Sequence, residues 1–273
     1  MGIGETLFGF KMYCDTRDFI QRRVYHFKMY EPNLTYYILQ TVRLGDDAVD
    51  IGANVGYMTL LLSRIVGPAG KVTSIEAHPT TFAALSRNVA LNDAKNVTAL
   101  NMAAANGPCV VDIVTGEKNN SGSNSVRPAS GSGTVSVKGD ALSNLPQVDR
   151  DKVAFIKIDV EGSEGPILTD LLDNMDFYQG LRSIAAEVSP ESADLIPALI
   201  AKGFRAYGLP NNYLIGYYFV RQYLRQSNEH SFVVKQAVSA YSPAFRDYVF
   251  ERPYGPADQQ ARISPASSGV LVT

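Results

Sequence analysis

The sequence predicts an α/β fold: a mixed sheet of about seven strands, covered by helices on both faces and carrying a β-hairpin insertion. Three observations predict it. Ala48–Ile51, Lys71–Ile75 and Val153–Ile158 are short apolar runs with the composition of buried parallel strands. The first two are separated by a helical pattern with Leu61, Leu62, Ile65 and Val66 on one face, which makes a βαβ unit. The stretch Val49-Asp50-Ile51-Gly52-Ala53-Asn54-Val55-Gly56 is a glycine-bearing turn from the first strand into that helix.

Each element follows from local signals. Residues 1–47 carry Phe8, Phe10, Met12 and Tyr13 in a short hairpin before a helix ending near Leu44-Gly45, and form a cap over the start of the sheet. The first helix of the βαβ unit runs from Tyr57 to Val66, where Gly67-Pro68-Ala69-Gly70 stops it. After Lys71–Ile75, Thr80 is the expected N-cap of a second helix bearing Phe82, Leu85 and Val89. Val97–Met102 is a third strand. Val110–Val114 and Thr134–Val137 alternate as hairpin arms, and Thr115 to Gly139 holds five glycines and six serines, a mobile insertion at 115–139. Val153–Ile158 resumes the parallel sheet, a helix begins at Ile167–Leu172, and Ser183–Val188 is a strand. Leu195–Lys202 is helical, and Phe204–Gly208 pairs with Ser231–Val234 as the last two strands. The tail 252–273, with its prolines and serines and no apolar period, is expected to be disordered. One domain over 48–251, with the cap and tail attached, accounts for the 273 residues.

Composition narrows the function. A hydrophobic fraction of 45% with 19% charged residues is that of a globular protein. Lys plus Arg at 25 against Asp plus Glu at 27 leaves no overall basic field, so no nucleic-acid partner is expected. There is no apolar run long enough for a membrane span and no leader pattern, so the expectation is a soluble cytoplasmic protein. Two cysteines, Cys14 and Cys109, exclude a structural zinc set and read as small packing residues. No metal is assigned.

The chemistry is carried by the turn at 49–56. Glycines at 52 and 56 let a ligand approach the backbone, and a helix beginning at Tyr57 offers N–H groups to it. The dinucleotide fingerprint needs glycine where Asn54 stands, and Asp50 would repel a pyrophosphate, which disfavours an NAD-dependent oxidoreductase. A cofactor with a positive centre and no phosphate, S-adenosylmethionine (SAM), suits these residues better. Glu76, at the end of the second strand, is placed to accept hydrogen bonds from ribose hydroxyls.

With those residues in view, the sequence resembles the FkbM family of SAM-dependent methyltransferases. The resemblance is carried by Tyr30-Glu31-Pro32, by Val49 to Gly56 with Thr59, by Ile75-Glu76, by Asn88-Val89-Ala90-Leu91-Asn92 and by Lys157-Ile158-Asp159-Val160-Glu161-Gly162-Ser163-Glu164. It implies a class I Rossmann-like methyltransferase fold, SAM as cofactor, and a hydroxyl on a small-molecule acceptor such as a natural product, sugar or lipid. It implies cofactor-binding positions at Glu31, Asp50, Gly52, Ala53, Asn54, Gly56, Tyr57, Thr59, Glu76, Ala77, Asn101, Ala103 and Asp159. Ala77 and His78 stand where the family often has Pro and Asn.

Asp159 and Glu161 lie two apart at the carboxyl end of an apolar strand, the edge where open α/β sheets bind ligands, and are the candidate catalytic pair: a general base or an acceptor-orienting group. Asp140 reads as an N-cap acceptor, and Asn119-Asn120-Ser121-Gly122 as part of a lid over the acceptor. Tyr213, Tyr217, Tyr218, Phe219 and Tyr223, with Arg221 and Arg225, leave three roles open: helix packing, substrate recognition or a homodimer contact. The function read from the sequence is methyl transfer to a small-molecule hydroxyl; transfer to nitrogen, transfer to a protein or RNA partner, and SAM binding without catalysis are the alternatives.

Overall fold

The computed structural model describes residues 1–114, 125–126, 134–160, 162–210 and 233–253. The chain opens with a hairpin, β1 (Gly2–Glu5) and β2 (Lys11–Cys14), and two helices, α1 (Phe19–Phe27) and α2 (Pro32–Thr41). The single helix expected before Leu44 is therefore two. Lys28 in the left-handed conformation (φ 63°) closes the first, and Pro32 at the first turn starts the second. The Asp18 carboxylate accepts the Gln21 N–H and caps α1.

The main sheet follows. It comprises β3 (Asp47–Ile51), β4 (Lys71–Ile75) and β5 (Val97–Leu100), then β10 (Val153–Ile158), β11 (Ser183–Glu187), β12 (Arg205–Leu209), β13 (Gln236–Val238) and β14 (Asp247–Glu251). Among the described residues these eight strands lie in the order β13-β12-β14-β11-β10-β3-β4-β5, with β5 through β11 parallel and β14 antiparallel to both β11 and β12. This is an α/β fold with a mixed sheet, as the βαβ pattern predicts. The interposed helices are α3 (Tyr57–Val66), α4 (Pro79–Leu91), α5 (Glu164–Asp173) and α6 (Leu195–Ala201). No described helix is long and apolar enough to cross a membrane.

Alternation along the central strands divides the interior into two apolar layers. Ala48, Phe155, Ala185 and Val249 face the cluster that holds α2, α3 and the N-terminal hairpin. Val49, Ile156, Ile184, Ala186, Tyr248 and Phe250 face the cluster that holds α5 and α6. Because both faces are covered, β10 is buried at every position, so its run is apolar except for Lys157 and not alternating. Residues 1–47 share the first layer: Phe8, Phe10, Met12, Val24 and Met29 pack in one cluster with Leu60 and Leu61. Two asparagines fasten the hairpin to α4. Asn88 accepts the Tyr13 N–H at 2.8 Å and donates to the Val55 carbonyl, while Asn92 accepts the Lys11 N–H and donates to the Lys11 carbonyl.

A second sheet, in the order β6-β9-β7-β8, is built from β6 (Ala103–Ala105), β7 (Cys109–Val114), β8 (Ser125–Val126) and β9 (Thr134–Ala141). The paired arms β7 and β9 are the expected hairpin insertion.

Several expectations are corrected. The helix after β4 starts two residues early, because Pro79, with its preset φ, takes the first helical position and His78, not Thr80, is the cap residue. Val233 and Val234 are outside any strand, and the partners of β12 are β13 and β14, so the sheet has eight strands among the described residues where about seven were expected. Asp140 ends up within β9, where its carboxylate accepts the Ala141 N–H and the Asn144 side-chain amide. Cys14 is buried as a packing residue should be, but Cys109 is exposed. Arg252, read as the first residue of a disordered tail, is anchored through its N–H on the Arg182 carbonyl and its guanidinium on the Tyr178 carbonyl. Glu161, the stretch 119–122, the aromatic and basic residues 213–225 and the tail 254–273 lie outside the described residues.

Candidate active site

The carboxyl ends of β3, β4 and β10 open onto one cleft, enclosing about 1180 Å³ including its mouth. Its floor is the β3–α3 turn. Gly52 (φ +72°), Asn54 (φ 50°) and Gly56 (φ +97°) are all left-handed, which folds the chain back at the end of β3 and brings it against β10. A Cβ on Gly52 would lie 1.7 Å from the Asp159 carbonyl oxygen, so only glycine fits this approach.

The turn's own N–H groups are spent inside the protein. Gly52 and Ala53 donate to the Ile75 carbonyl, Asn54 donates to Glu76 Oε2 at 2.8 Å, Val55 to Asn54 Oδ1, and Gly56 to the Ala53 carbonyl. The N–H groups at 52–56 are thus engaged on the Ile75 carbonyl, on Glu76 and within the turn itself. No phosphate cradle is left there.

Acidic groups take its place. Glu76 at the end of β4 is held by the Asn54 N–H on one oxygen and the His78 N–H, 2.9 Å, on the other. Each oxygen retains a lone pair for a ligand hydroxyl. Burial raises the Glu76 pKa, a shift opposed by those two N–H bonds. Glu31, Asp159, Glu187 and Asp247 line the cleft further along. The Arg246 guanidinium pairs with Glu187.

Beneath the turn lies a residue whose role sequence reasoning missed. Lys157, 4% exposed, donates to the Gly52 carbonyl at 2.9 Å and stands 3.4 Å from both Asp50 Oδ1 and Asp159 Oδ2. Burial opposes its charge, but Asp159, Asp50 and Glu31 outweigh that opposition and hold the ammonium above the usual lysine range. Asp50, fully buried, also accepts the Thr59 hydroxyl at 2.6 Å. The available signal was a lysine inside an otherwise apolar, two-face-buried strand, a position lysine occupies only when paired.

The cleft brings together Glu31, Gly52, Ala53, Asn54, Tyr57, Glu76, Ala77, Ala103 and Asp159 of the residues the sequence singled out. Asp50 stands behind the wall, paired with Lys157 and accepting the Thr59 hydroxyl. Gly56 turns toward Leu85, whose Cδ1 lies 2.7 Å from where its Cβ would be. Asn101 is exposed and donates to the carbonyls of Glu76 and Ala77, shaping that loop from outside. Glu164 fixes the segment after Asp159 by accepting the Val160 and Gly162 N–H groups. Among the described residues no group of three or more His, Cys, Asp or Glu side chains is arranged to hold a metal ion.

No curated protein matches the chain. Among solved structures it is similar to a methyltransferase FkbM from Methylobacillus flagellatus KT, at 15% identity over 64% of this chain and 45% of that one, TM-score 0.37. A SAM-dependent O-methyltransferase from Thermotoga maritima matches at 14% identity over 83% and 67%, TM-score 0.42. A protein-L-isoaspartate O-methyltransferase matches at 27% identity, over 27% of this chain and only 24% of that one's length, TM-score 0.25. The family description "Methyltransferase FkbM domain" matches residues 50–205, more than half of the 273. The matched span runs from Asp50 to Arg205, the first residue of β12, and contains Glu76, Lys157 and Asp159, and on it the chain belongs to the FkbM methyltransferase family, a methyltransferase of the SAM-dependent class.

Proposed function

We propose that the protein transfers a methyl group from SAM to a hydroxyl of a small molecule, with the cofactor lying across the β3–α3 turn and the acceptor beyond it toward Glu31, Asp159 and Asp247. The observation that carries this reading is the pairing of an acid-lined cleft with a turn whose N–H groups are already used. Such a cleft suits a cationic ligand without phosphate and disfavours a dinucleotide.

When bound, SAM supplies a methyl carbon already activated by positively charged sulfur, so the protein's task is to align, to exclude water and to take a proton. Glu76 accepts the ribose hydroxyls through its remaining lone pairs. Gly52, Ala53 and Asn54 form the floor that a Cβ on Gly52 would lift. Asp159, fixed by Lys157 from below, orients the acceptor hydroxyl by accepting its hydrogen bond. Glu161 follows two residues later and serves as second carboxylate. Tyr30 and Tyr57, whose rings meet edge to face at 6.1 Å, wall the N-terminal side and exclude water. Residues 1–47 act as a cap on a catalytic domain of residues 48–251.

Calorimetric titration tests the cofactor assignment. The intact protein is expected to bind both SAM and S-adenosylhomocysteine, and Glu76→Ala to lose about 100-fold in affinity for each, as two buried hydrogen bonds to ribose and the two that shape the turn disappear together. Absence of binding by the intact protein, or undiminished binding by Glu76→Ala, would contradict it.

A further inference from the structure

One carboxyl group in the cleft does not cap the helix it precedes. Glu31 occupies the N-cap position of α2, where a side-chain oxygen ordinarily accepts a first-turn N–H, yet it makes no such bond. Its backbone is left-handed (φ 41°, ψ 70°), a conformation that strains a non-glycine residue. The side chain is 7% exposed and belongs to the cleft lining. Backbone strain is thus spent on turning this carboxyl away from its helix and into the cleft.

The groups facing it come from four elements. Asp247 reaches it from the start of β14 and Asp159 from the end of β10, both negative. Lys157 in β10 is positive but is shared with Asp50 and Asp159. Tyr30, beside it in the chain, hydrogen-bonds the carboxyl, and the Tyr57 ring in α3 stands next to Tyr30. Glu187 and Arg246, paired with each other, line the same wall. Burial first, and then the two aspartates, hold Glu31 well above the ordinary carboxylate range, with Lys157 and Tyr30 opposing. Asp159 and Glu31 therefore differ in kind: the first has a lysine within 3.4 Å, whereas the second is crowded by negative charge. A buried carboxyl crowded by negative charge in a ligand cleft is a group poised to exchange a proton.

We infer that Glu31 is a further catalytic residue, a proton acceptor armed by the donor's charge: it gives up a proton when a sulfonium enters the cleft, and then receives the proton of the acceptor hydroxyl. This rests on the SAM reading above. Charge on sulfur offsets the repulsion from Asp159 and Asp247, so the carboxylate forms only when the methyl donor is in place, and the protein does not carry an uncompensated anion when empty. Glu31 takes the hydroxyl proton while the O–H electron pair enters the new C–O bond and the C–S pair stays on sulfur.

The test needs no acceptor. SAM and S-adenosylhomocysteine share their amino acid and nucleoside portions and differ in the charge on sulfur, so the difference in protons exchanged on binding isolates the response to that charge. Titration near pH 7 in buffers of unlike ionisation heat is expected to show up to about one more proton released with SAM than with S-adenosylhomocysteine, Glu31→Gln to abolish the difference at ligand concentrations that saturate it, and Glu31→Asp to keep it. Equal proton counts for the two ligands in the intact protein would overturn the inference and leave the cofactor reading standing. A difference that persists in Glu31→Gln would overturn it too and move the proton to another carboxyl. If neither ligand binds, the inference fails with the reading beneath it.

Discussion

Replacing Lys157 with methionine is expected to lower stability by about 3–5 kcal/mol, because it strands the Asp50 carboxylate in the interior. Asp50 is fully buried, and its remaining partner is the Thr59 hydroxyl at 2.6 Å, a neutral donor that cannot replace an ammonium. Methionine fills a similar volume, so the loss would come from charge and not from a cavity. For a domain of this size the change corresponds to a fall in Tm on the order of 10 °C, a large share of a typical total stability of about 5–15 kcal/mol. The double variant Asp50→Asn with Lys157→Met removes both charges, and should recover much of the difference. Thermal and denaturant unfolding of the three proteins decides it. A Lys157→Met variant that melts with the wild type would mean that Asp50 does not depend on this lysine.

Gly52→Ala should leave a folded protein that binds SAM at least about 100-fold more weakly. Alanine at φ +72° costs about 1 kcal/mol. The larger effect is steric, since the new Cβ would stand 1.7 Å from the Asp159 carbonyl oxygen and 2.7 Å from its carbon. Both are backbone atoms, so no side-chain rotation relieves the overlap. Either the β3–α3 turn or the segment after β10 must move by about an ångström, and misplacement of that size costs on the order of 100-fold in an aligned site. Circular dichroism with calorimetry separates the outcomes. Near-native affinity would show that the cofactor does not lie on this turn.

What the sequence disclosed follows from how each residue acts. Strands β3, β4 and β10 were legible because strands buried on both faces lose the strict apolar–polar alternation, and α3 because its apolar face and its Gly-Pro stop coincide. Tyr248, Val249 and Phe250, buried in β14, form a core run too short to stand out between the Ser242-Pro243 turn and Pro253. Its neighbour β13 is a mostly exposed edge strand, without an apolar signal to read. The site divides similarly. Gly52, Glu76 and Asp159 were visible because their types are unusual at strand ends. Lys157 was overlooked because its meaning depends on Asp50 and Asp159 converging on it, a juxtaposition created by the pairing of β3 with β10. Glu31 was legible as a position in Tyr30-Glu31-Pro32, but its isolation from the helix it precedes and its crowding by Asp247, which is 216 residues away in sequence, exist only in the folded chain.

The most direct test of the account is a crystal structure of the protein with S-adenosylhomocysteine bound. The account predicts the ribose hydroxyls on Glu76, the ligand backbone crossing Gly52 and Ala53, and the sulfur facing the space between Glu31 and Asp159. A ligand bound elsewhere in the cleft, with Glu76 making no contact to it, would contradict it.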